Sequence, residues 1–426
     1  MDVLTKQQWI ATWARENPQR TFTSLNHVID DEWMREAYNL TRKDGAAGID
    51  GQTAKHYEQN LVENLQSLLR RFREGSYQAS PAKRVYIPKE KGDRRPIGIL
   101  TFEDRILQRA ITMILEPIYE QDFLSVSYGF RPNRSAHQAL RDLWNHIMKE
   151  GGQWVLEVDI RKFFDTVNLR QLRAFLDLRV KDGIIRRTID KWLKVGVMES
   201  GQIKRSSIGT QQGSVVAPIL SNIYLHYVLD LWFAEDAVPR MEGRCSLTRF
   251  ADDFVIVFER AYDCQRVYQV LVAKYGLALH PEKTRVIDFR PHMAKQQQKE
   301  TAMFDFLGFT HLWGKSREGK MVVHRRTAKS RLSRTVKAIT TYCKKSRHTG
   351  LEEQHRKLKQ MLIGHYAYYG ITGNYRSINR VRHRASRAWQ KWLSRRSWKS
   401  RIVWGAFEKL LEKYPLPKAR IYHGYI

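Results

Sequence analysis

The stretch Thr248-Arg249-Phe250-Ala251-Asp252-Asp253-Phe254-Val255-Ile256-Val257-Phe258 decides how the rest of the chain is read. Phe254 to Phe258 is an apolar run of strand length, rich in β-branched residues, and Leu247 to Phe250 can pair back on it as a hairpin. The turn between them holds two adjacent carboxylates, Asp252 and Asp253. Charges placed beside a buried strand lose hydration, and a bound divalent cation is the usual way to offset that cost. Taken alone, Asp-Asp in a turn reads more simply as a polar hairpin tip. A second acidic strand end shifts the balance. Gln153-Trp154-Val155-Leu156-Glu157-Val158-Asp159-Ile160 is a strand that closes on Asp159, and Arg161-Lys162-Phe163-Phe164-Asp165 opens a helix after it.

Ahead of Asp159 the chain reads as helices, a hairpin, then helices again. Between about Asp30 and Tyr77, Trp33, Ala37 and Leu40 keep helical spacing, and Leu61, Leu65, Leu68, Leu69 and Phe72 form a second stripe. Asp44-Gly45-Ala46-Ala47-Gly48-Ile49-Asp50-Gly51 is glycine-rich but lacks the Gly-Lys-Ser/Thr ending of a P-loop. Lys83 to Pro88 and Arg94 to Leu100 make the hairpin, with Lys89, Lys91, Arg94 and Arg95 at its tip and second strand. Those cations read equally as solubilising edge charges or as a seat for a triphosphate. Asp104 to Leu115 is predicted helical, with Pro117 ending it. Ser135 is a predicted N-cap after Tyr128-Gly129-Phe130-Arg131-Pro132-Asn133-Arg134.

Beyond Asp159, a helical stretch from Leu169 to Val195 precedes the loop Gly209-Thr210-Gln211-Gln212-Gly213-Ser214-Val215-Val216-Ala217-Pro218 and an apolar helix from Ile219 to Phe233. Past the acidic hairpin, a helix around Cys264 to Tyr275 leads into Gly276-Leu277-Ala278-Leu279-His280-Pro281-Glu282-Lys283-Thr284. Phe304-Asp305-Phe306-Leu307-Gly308-Phe309 reads as a short strand turning at Gly308. Lys315 to Gly319 reads as a linker into a helical tail. Leu358, Met361, Leu362 and His365 mark one stripe there, and Val381, Ala385, Ala388 and Trp392 another. Pro415-Leu416-Pro417 ends the last helix.

At 426 residues, with 42% hydrophobic and 28% charged residues, the chain belongs with folded proteins of two or three domains. A net charge of +30 points to polyanionic partners. From His311 to Ile426 there are 29 Lys and Arg against 5 Asp and Glu, so the tail carries +24 and the first 310 residues only +6. Five of the 12 Trp lie in that tail, and cations interleaved with aromatics supply phosphate neutralisation and base stacking together. Three scattered cysteines, Cys245, Cys264 and Cys343, make neither a disulfide framework nor a zinc site, which fits a reducing cytosol. No signal-peptide core or transmembrane-length apolar run is present, so a soluble, cytoplasmic protein without membrane partners is expected.

Asp159 with Asp252-Asp253 is what a two-metal phosphoryl-transfer site needs: hard oxygen donors that leave room in the Mg²⁺ shell for water and substrate phosphates. The ordered set Val-Asp-Ile-x-x-Phe-Phe-Asp, Gln-Gly with a following Pro, Phe-Ala-Asp-Asp, Gly-Leu-x-Leu with Lys-Thr, and Phe-Leu-Gly resembles reverse transcriptase. More narrowly, the chain is similar to the reverse transcriptase–maturases of bacterial group II introns. Ser127-Tyr128-Gly129-Phe130-Arg131-Pro132, the glycine loop at 45–51, and His365-Tyr366, Tyr369-Gly370, Asn374-Tyr375 and Tyr414-Pro415-Leu416-Pro417 carry that narrower match. It covers roughly residues 30 to 426.

The resemblance implies an α+β right-hand polymerase: fingers, a palm with an antiparallel sheet, and an α-helical thumb, called domain X in maturases. It divides the chain into an N-terminal extension and start of the fingers at 1–80, fingers and palm at 81–314, and thumb at 315–426. It makes Asp159, Asp252 and Asp253 the catalytic ligands of two Mg²⁺ ions, with the Ile160 carbonyl completing one shell. Lys89 and Arg95 would contact the incoming deoxynucleoside triphosphate, and Gln212 would border its pocket. Phe164 would be the steric gate against a 2′-OH, with an ordinary core aromatic as the other reading. Lys283 is a candidate proton donor to pyrophosphate, or a surface lysine. Residues 304–309 would form the primer grip.

Three positions depart from the family's pattern: Phe250 stands for a usual Tyr, Gln211 for Pro, and Ala217 for Ser. None removes a metal ligand; nucleotide affinity and fidelity are where they would act. The paired-cysteine HNH endonuclease domain of many relatives is not in this sequence, so if the protein serves an intron, target-strand priming is expected to come from elsewhere, such as a nascent strand at a replication fork. The expected function is RNA-directed DNA synthesis on an RNA template and DNA primer, with binding of group II intron RNA to assist splicing. The alternatives are a reverse transcriptase outside any intron, in defence or DNA repair, and a splicing cofactor without polymerase activity.

Overall fold

The computed structural model describes residues 2–88, 94–160, 163–199, 202–204, 213–274, 279–280, 284–291, 302–316, 318–397 and 401–424. The N-terminal third is mostly helical. Helix α1 (Val3–Glu16) is capped by Asp2, whose carboxylate accepts from Thr5 N at 2.7 Å. Helices α2 (Asp31–Leu40), α3 (Ala54–Glu58) and α4 (Leu61–Arg73) follow, and α4 buries Leu65, Leu68, Leu69 and Phe72 as its spacing predicts. On α2 the buried face is Trp33, Met34, Ala37 and Tyr38, while Leu40, at the helix end, is exposed.

Strands β1 (Ala82–Pro88) and β2 (Arg94–Ile99) form the basic hairpin, with Ile87 opposite Arg95. Helix α5 (Phe102–Tyr119) starts on a Thr101 cap and runs through Pro117 instead of ending before it. A proline there removes the N–H that the Met113 carbonyl would accept. Gln7 Nε2 on α1 donates to that carbonyl at 3.3 Å instead, so the kink cost is offset from outside the helix.

Helix α6 (Ala136–Met148) begins at the Ser135 cap. Strand β3 (Trp154–Asp159) leads through the short helix α7 (Phe163–Thr166) to α8 (Leu169–Arg179) and α9 (Gly183–Lys194). The predicted single stretch from 169 to 195 is broken at Asp182, which caps α9 and also accepts from the N–H groups of Leu25 and Asn26. Short strands β4 (Val197–Glu199) and β5 (Gln202–Lys204) extend the first hairpin into a four-stranded sheet in the order β2-β1-β4-β5. The apolar helix α10 (Ala217–Leu225) continues in wider π-type turns to Ala237.

Strands β6 (Cys245–Phe250) and β7 (Asp253–Phe258), helix α11 (Ala261–Lys274) and strand β8 (Arg285–Asp288) complete a central antiparallel sheet ordered β6-β7-β3-β8. Its period-2 pattern separates two cores. Leu156, Val158, Phe254, Ile256 and Phe258 pack on the helical side with α5, α8 and α10. Val155, Val255, Val257 and Ile287 pack on the other side with α6 and a third sheet.

That third sheet, β9 (Met303–Phe306), β10 (Phe309–Lys315) and β11 (Met321–Thr327), corrects the reading of residues 315–319 as a linker. Lys315 pairs with Met321, and Ser316 N donates to Lys320 O at 2.8 Å, so the segment is a hairpin turn. The helical tail begins at Lys329, with α12 (Lys329–Lys345), α13 (Leu351–Tyr369), α14 (Tyr375–Leu393) and α15 (Trp404–Lys413) around their own core. Trp389 and Phe407 are fully buried there, whereas Trp392 of the predicted stripe is only partly covered. The chain is thus α+β with a helical C-terminal part. Among the described residues no helix is long and apolar enough to cross a membrane.

Candidate active site

Asp159, the last residue of β3, lies directly opposite Asp253, the first residue of β7. Phe250 pairs with Asp253, so the β6–β7 loop is only Ala251 and Asp252. Three carboxylates are therefore delivered to one end of the central sheet by two neighbouring strands. Asp253 is exposed, and Asp159 and Asp252 are half-buried.

Ala251 holds a left-handed φ of 58°, costly for a residue with a Cβ. Its surroundings fix it. Arg249 Nη1 donates to the Ala251 carbonyl at 3.1 Å and to Asn222 Oδ1 at 3.0 Å. The same guanidinium forms a two-point ion pair with Asp230, Nε to Oδ1 at 2.7 Å. Asn222 Nδ2 in turn donates to Gly129 O at 2.7 Å. Segment 126–129 runs along β6 like an added strand: Arg249 N donates to Val126 O at 2.8 Å and Tyr128 N to Arg249 O at 2.9 Å. It crosses so close that a Cβ on Gly129 would lie 2.3 Å from Ala251 N. Phe250, lacking the usual hydroxyl, packs against the core on the α6 side.

Arg249, Asp230 and Asn222 support the acidic turn, and motif reading passes over them. A signal was present: Asn222, His226 and Asp230 recur every four residues on an otherwise apolar helix, and polar groups buried that way require partners.

Asp159 and Asp253 open into a cleft of about 470 Å³. Its far wall is the β9–β10 turn at Leu307 and Gly308, and Ala328, Ser330 and Arg331 close it from the start of the helical tail. Glu157 and Asp305 add acidic character, with Arg285 pairing with Glu157. The predicted grip segment is thus brought to the carboxylates. Arg95 on β2 is near enough for its charge to act on Asp252. Ile160 is buried and bridges Leu279; the neighbouring Asp159 carbonyl accepts from His280 N at 2.9 Å. Lys89, Gln212 and Lys283 lie outside the described residues, as does the side chain of Phe164. Directly after Gln212, the Ser214 hydroxyl and Val215 N–H donate to Gln108 Oε1 at 2.7 and 2.8 Å, which ties that loop to α5.

Burial is the largest cause that lifts the Asp252 pKa, and repulsion from Asp159 adds to it, against Arg95 and Arg249. A cation between the carboxylates would remove that repulsion, and all-oxygen donors suit Mg²⁺. Among the described residues no three His, Cys, Asp or Glu side chains are grouped so as to hold a metal ion by themselves. Mg²⁺ sites commonly draw part of their shell from water and substrate phosphates, so the donor set fits the ion. Reverse transcriptases as a family generally use it.

The family model for reverse transcriptase (RNA-dependent DNA polymerase) matches residues 87–311. Protein YkfC of Escherichia coli (strain K12) is 34% identical over 365 residues, which span 76% of this chain and 92% of that protein. Group II intron-encoded protein LtrA of Lactococcus lactis subsp. cremoris is 36% identical over 218 residues, 50% of this chain and 36% of LtrA. An uncharacterized 91 kDa protein in the cob intron of Schizosaccharomyces pombe is 33% identical over 199 residues, 47% of this chain and 24% of that protein. The chain thus matches nearly all of the first relative but about a third or less of the other two.

Proposed function

The chain belongs to the reverse transcriptase family, on its group II intron-encoded reverse transcriptase/maturase branch, and from that premise we propose that it is an active RNA-directed DNA polymerase that also binds group II intron RNA to assist splicing. The observation that carries the polymerase reading is the register of Asp159 against Asp253, with Asp252 in the adjoining turn, at the mouth of a cleft faced by the Leu307-Gly308 turn.

In this reading Asp159, Asp252, Asp253 and the Ile160 carbonyl hold two Mg²⁺ ions. Bound there, such ions lower the pKa of the attacking hydroxyl and stabilise the leaving oxygen. Arg95 and Lys89 hold the triphosphate of a deoxynucleotide, the arginine through its planar fork. Phe164 packs on the deoxyribose, Gln212 borders the base pocket, and Lys283 donates a proton to pyrophosphate. The Leu307-Gly308 turn presents the primer end. The thumb, with its excess of 24 positive charges from residue 311 onward, binds RNA by neutralising phosphates.

Primer extension on an RNA template with Mg²⁺ and deoxynucleotides tests the proposal, with wild type beside Asp252→Ala and Asp159→Ala. Extension by the wild type alone, with all three proteins binding RNA alike, is the expected result. No extension by the wild type while RNA stays tightly bound would leave a splicing cofactor without polymerase activity.

A further inference from the structure

The turn that faces the catalytic carboxylates is held in an unfavourable backbone conformation by a residue from outside the palm. Leu307 has φ 49° and Gly308 φ 79°. Left-handed backbone is free for glycine but costs roughly 1–2 kcal/mol for a residue with a Cβ. The turn offsets part of that cost itself, because a two-residue hairpin loop with both residues left-handed follows the twist of the strands that Phe306 and Phe309 close.

Two hydrogen bonds and packing from the C-terminal part add to that offset. The Tyr368 hydroxyl, near the end of α13, donates to the Leu307 carbonyl at 2.9 Å. Ala328 N–H, at the start of the helical tail, donates to Gly308 O at 2.9 Å. The Tyr369 hydroxyl sits where a Cβ on residue 308 would approach to 3.0 Å. Phe309, next in the chain, lies against both tyrosine rings, at centroid distances of 5.8 and 5.2 Å. The helix end is itself fixed to α6, because His137 Nε2 donates to the Tyr368 carbonyl at 2.8 Å.

Tyr368 also lies within electrostatic reach of the site. Its hydroxyl is pushed up to about 12, chiefly by burial, and the charge of Asp253 is among the contributing causes. It therefore stays protonated and remains a donor at neutral pH.

We propose that Tyr368 is a positioning residue for DNA synthesis: by holding the Leu307 carbonyl it sets where the Leu307-Gly308 turn presents the primer end to the carboxylates. The inference rests on the polymerase reading above. It makes the thumb part of the chemistry of the palm, beyond its role as an RNA-binding surface. Without the hydroxyl, Leu307 can relax toward right-handed backbone and carry the primer end out of line, which slows the chemical step while leaving ground-state binding in place.

Tyr368→Phe keeps the ring against Phe309 and removes only the hydrogen bond. The experiment is single-nucleotide addition by the full chain on a defined RNA template and DNA primer, with primer–template affinity and melting temperature measured alongside. A net hydrogen bond of about 1 kcal/mol corresponds to about a fivefold fall in the maximal rate. That fall is expected with KM for the deoxynucleotide, primer–template affinity and melting temperature all near wild type. A wild-type rate in Tyr368→Phe would overturn the inference, and so would losses of rate, affinity and melting temperature in parallel, which would make Tyr368 merely structural. A wild type that extends no primer would instead defeat the polymerase reading itself.

Discussion

Arg249 and Asp230 form an ion pair in which neither side chain has any solvent exposure, and the arginine's remaining fork nitrogen holds the carbonyl of Ala251 in the acidic turn. Breaking such a pair from one side leaves an uncompensated buried charge and costs about 3–5 kcal/mol, whereas replacing both partners by apolar residues is often neutral. Arg249→Met alone should therefore lower stability by about that amount. Arg249→Met with Asp230→Leu should restore the melting temperature but not DNA synthesis, which is expected to stay about tenfold down because Ala251 has lost its donor. Full activity in the refolded double variant would show that the pair only holds the core together.

Gly129→Ala tests the same turn from the opposite side. The added Cβ meets the backbone of Ala251 at 2.3 Å, and a backbone atom cannot rotate away as a side chain would. The Asp252 carboxylate is expected to shift with the turn, and the rate of primer extension to fall by at least about tenfold. RNA binding through the tail, which lies on a separate core, should persist. Unaltered extension by a folded Gly129→Ala protein would mean that the turn tolerates displacement.

How much of this was legible in the sequence depends on whether the signal is local. The acidic hairpin, β3 and the stripe on α4 were legible because residues two, three or four apart decide them. The segment 315–319 misleads for a physical reason: Ser316 and Gly319 suit a turn and a linker equally, and only the partnership of Lys315 with Met321 separates the two. Pro117 misleads because its compensation comes from Gln7, more than a hundred residues away. The Arg249–Asp230 pair is non-local in the same way. Asp230 announces that a partner must exist without naming it, and folding supplies Arg249. The hold of Tyr368 on Leu307 leaves no local signal at all, since a tyrosine near a helix end reads as core.

Helix α14 predicts where the salt dependence of RNA binding resides. Arg376, Arg380, Arg384 and Arg387 form an exposed basic face with Tyr375 and His383, and the helix contains no carboxylate. Every RNA phosphate that the protein no longer neutralises should reduce the slope of log affinity against log salt by about 0.7–0.9. Arg380→Gln with Arg384→Gln should therefore weaken RNA binding at low salt and flatten the slope by between about 1 and 2. Filter binding across a salt series measures both, and an unchanged slope would mean that cations on other helices neutralise the phosphates.

Stability should fall as the solution is acidified, and the sign follows from three buried histidines. Burial depresses His226 and His365 to about 4 and His311 to about 3, with Arg249 and Arg131 adding to the effect at His226 and Arg325 at His311. Each stays neutral in the native state while its unfolded counterpart takes a proton near pH 6.5. Their stabilisation is therefore complete above that pH and is lost as pH falls toward 3–4. Carboxyls raised by burial oppose them: Asp104 and Asp122 are lifted to about 6, and Asp252, Glu116 and Glu157 shift in the same direction, so the native state holds their protons longer and gains stability as pH falls through that range. At pH 5 each histidine costs about 2 kcal/mol and Asp104 and Asp122 each return about 1 kcal/mol, so the three histidines set the sign. Urea unfolding at pH 7.5 and pH 5 should show that loss, and His365→Leu should shrink it. Equal or greater stability at pH 5 would mean that at least one of these rings is solvated or charged in the native protein.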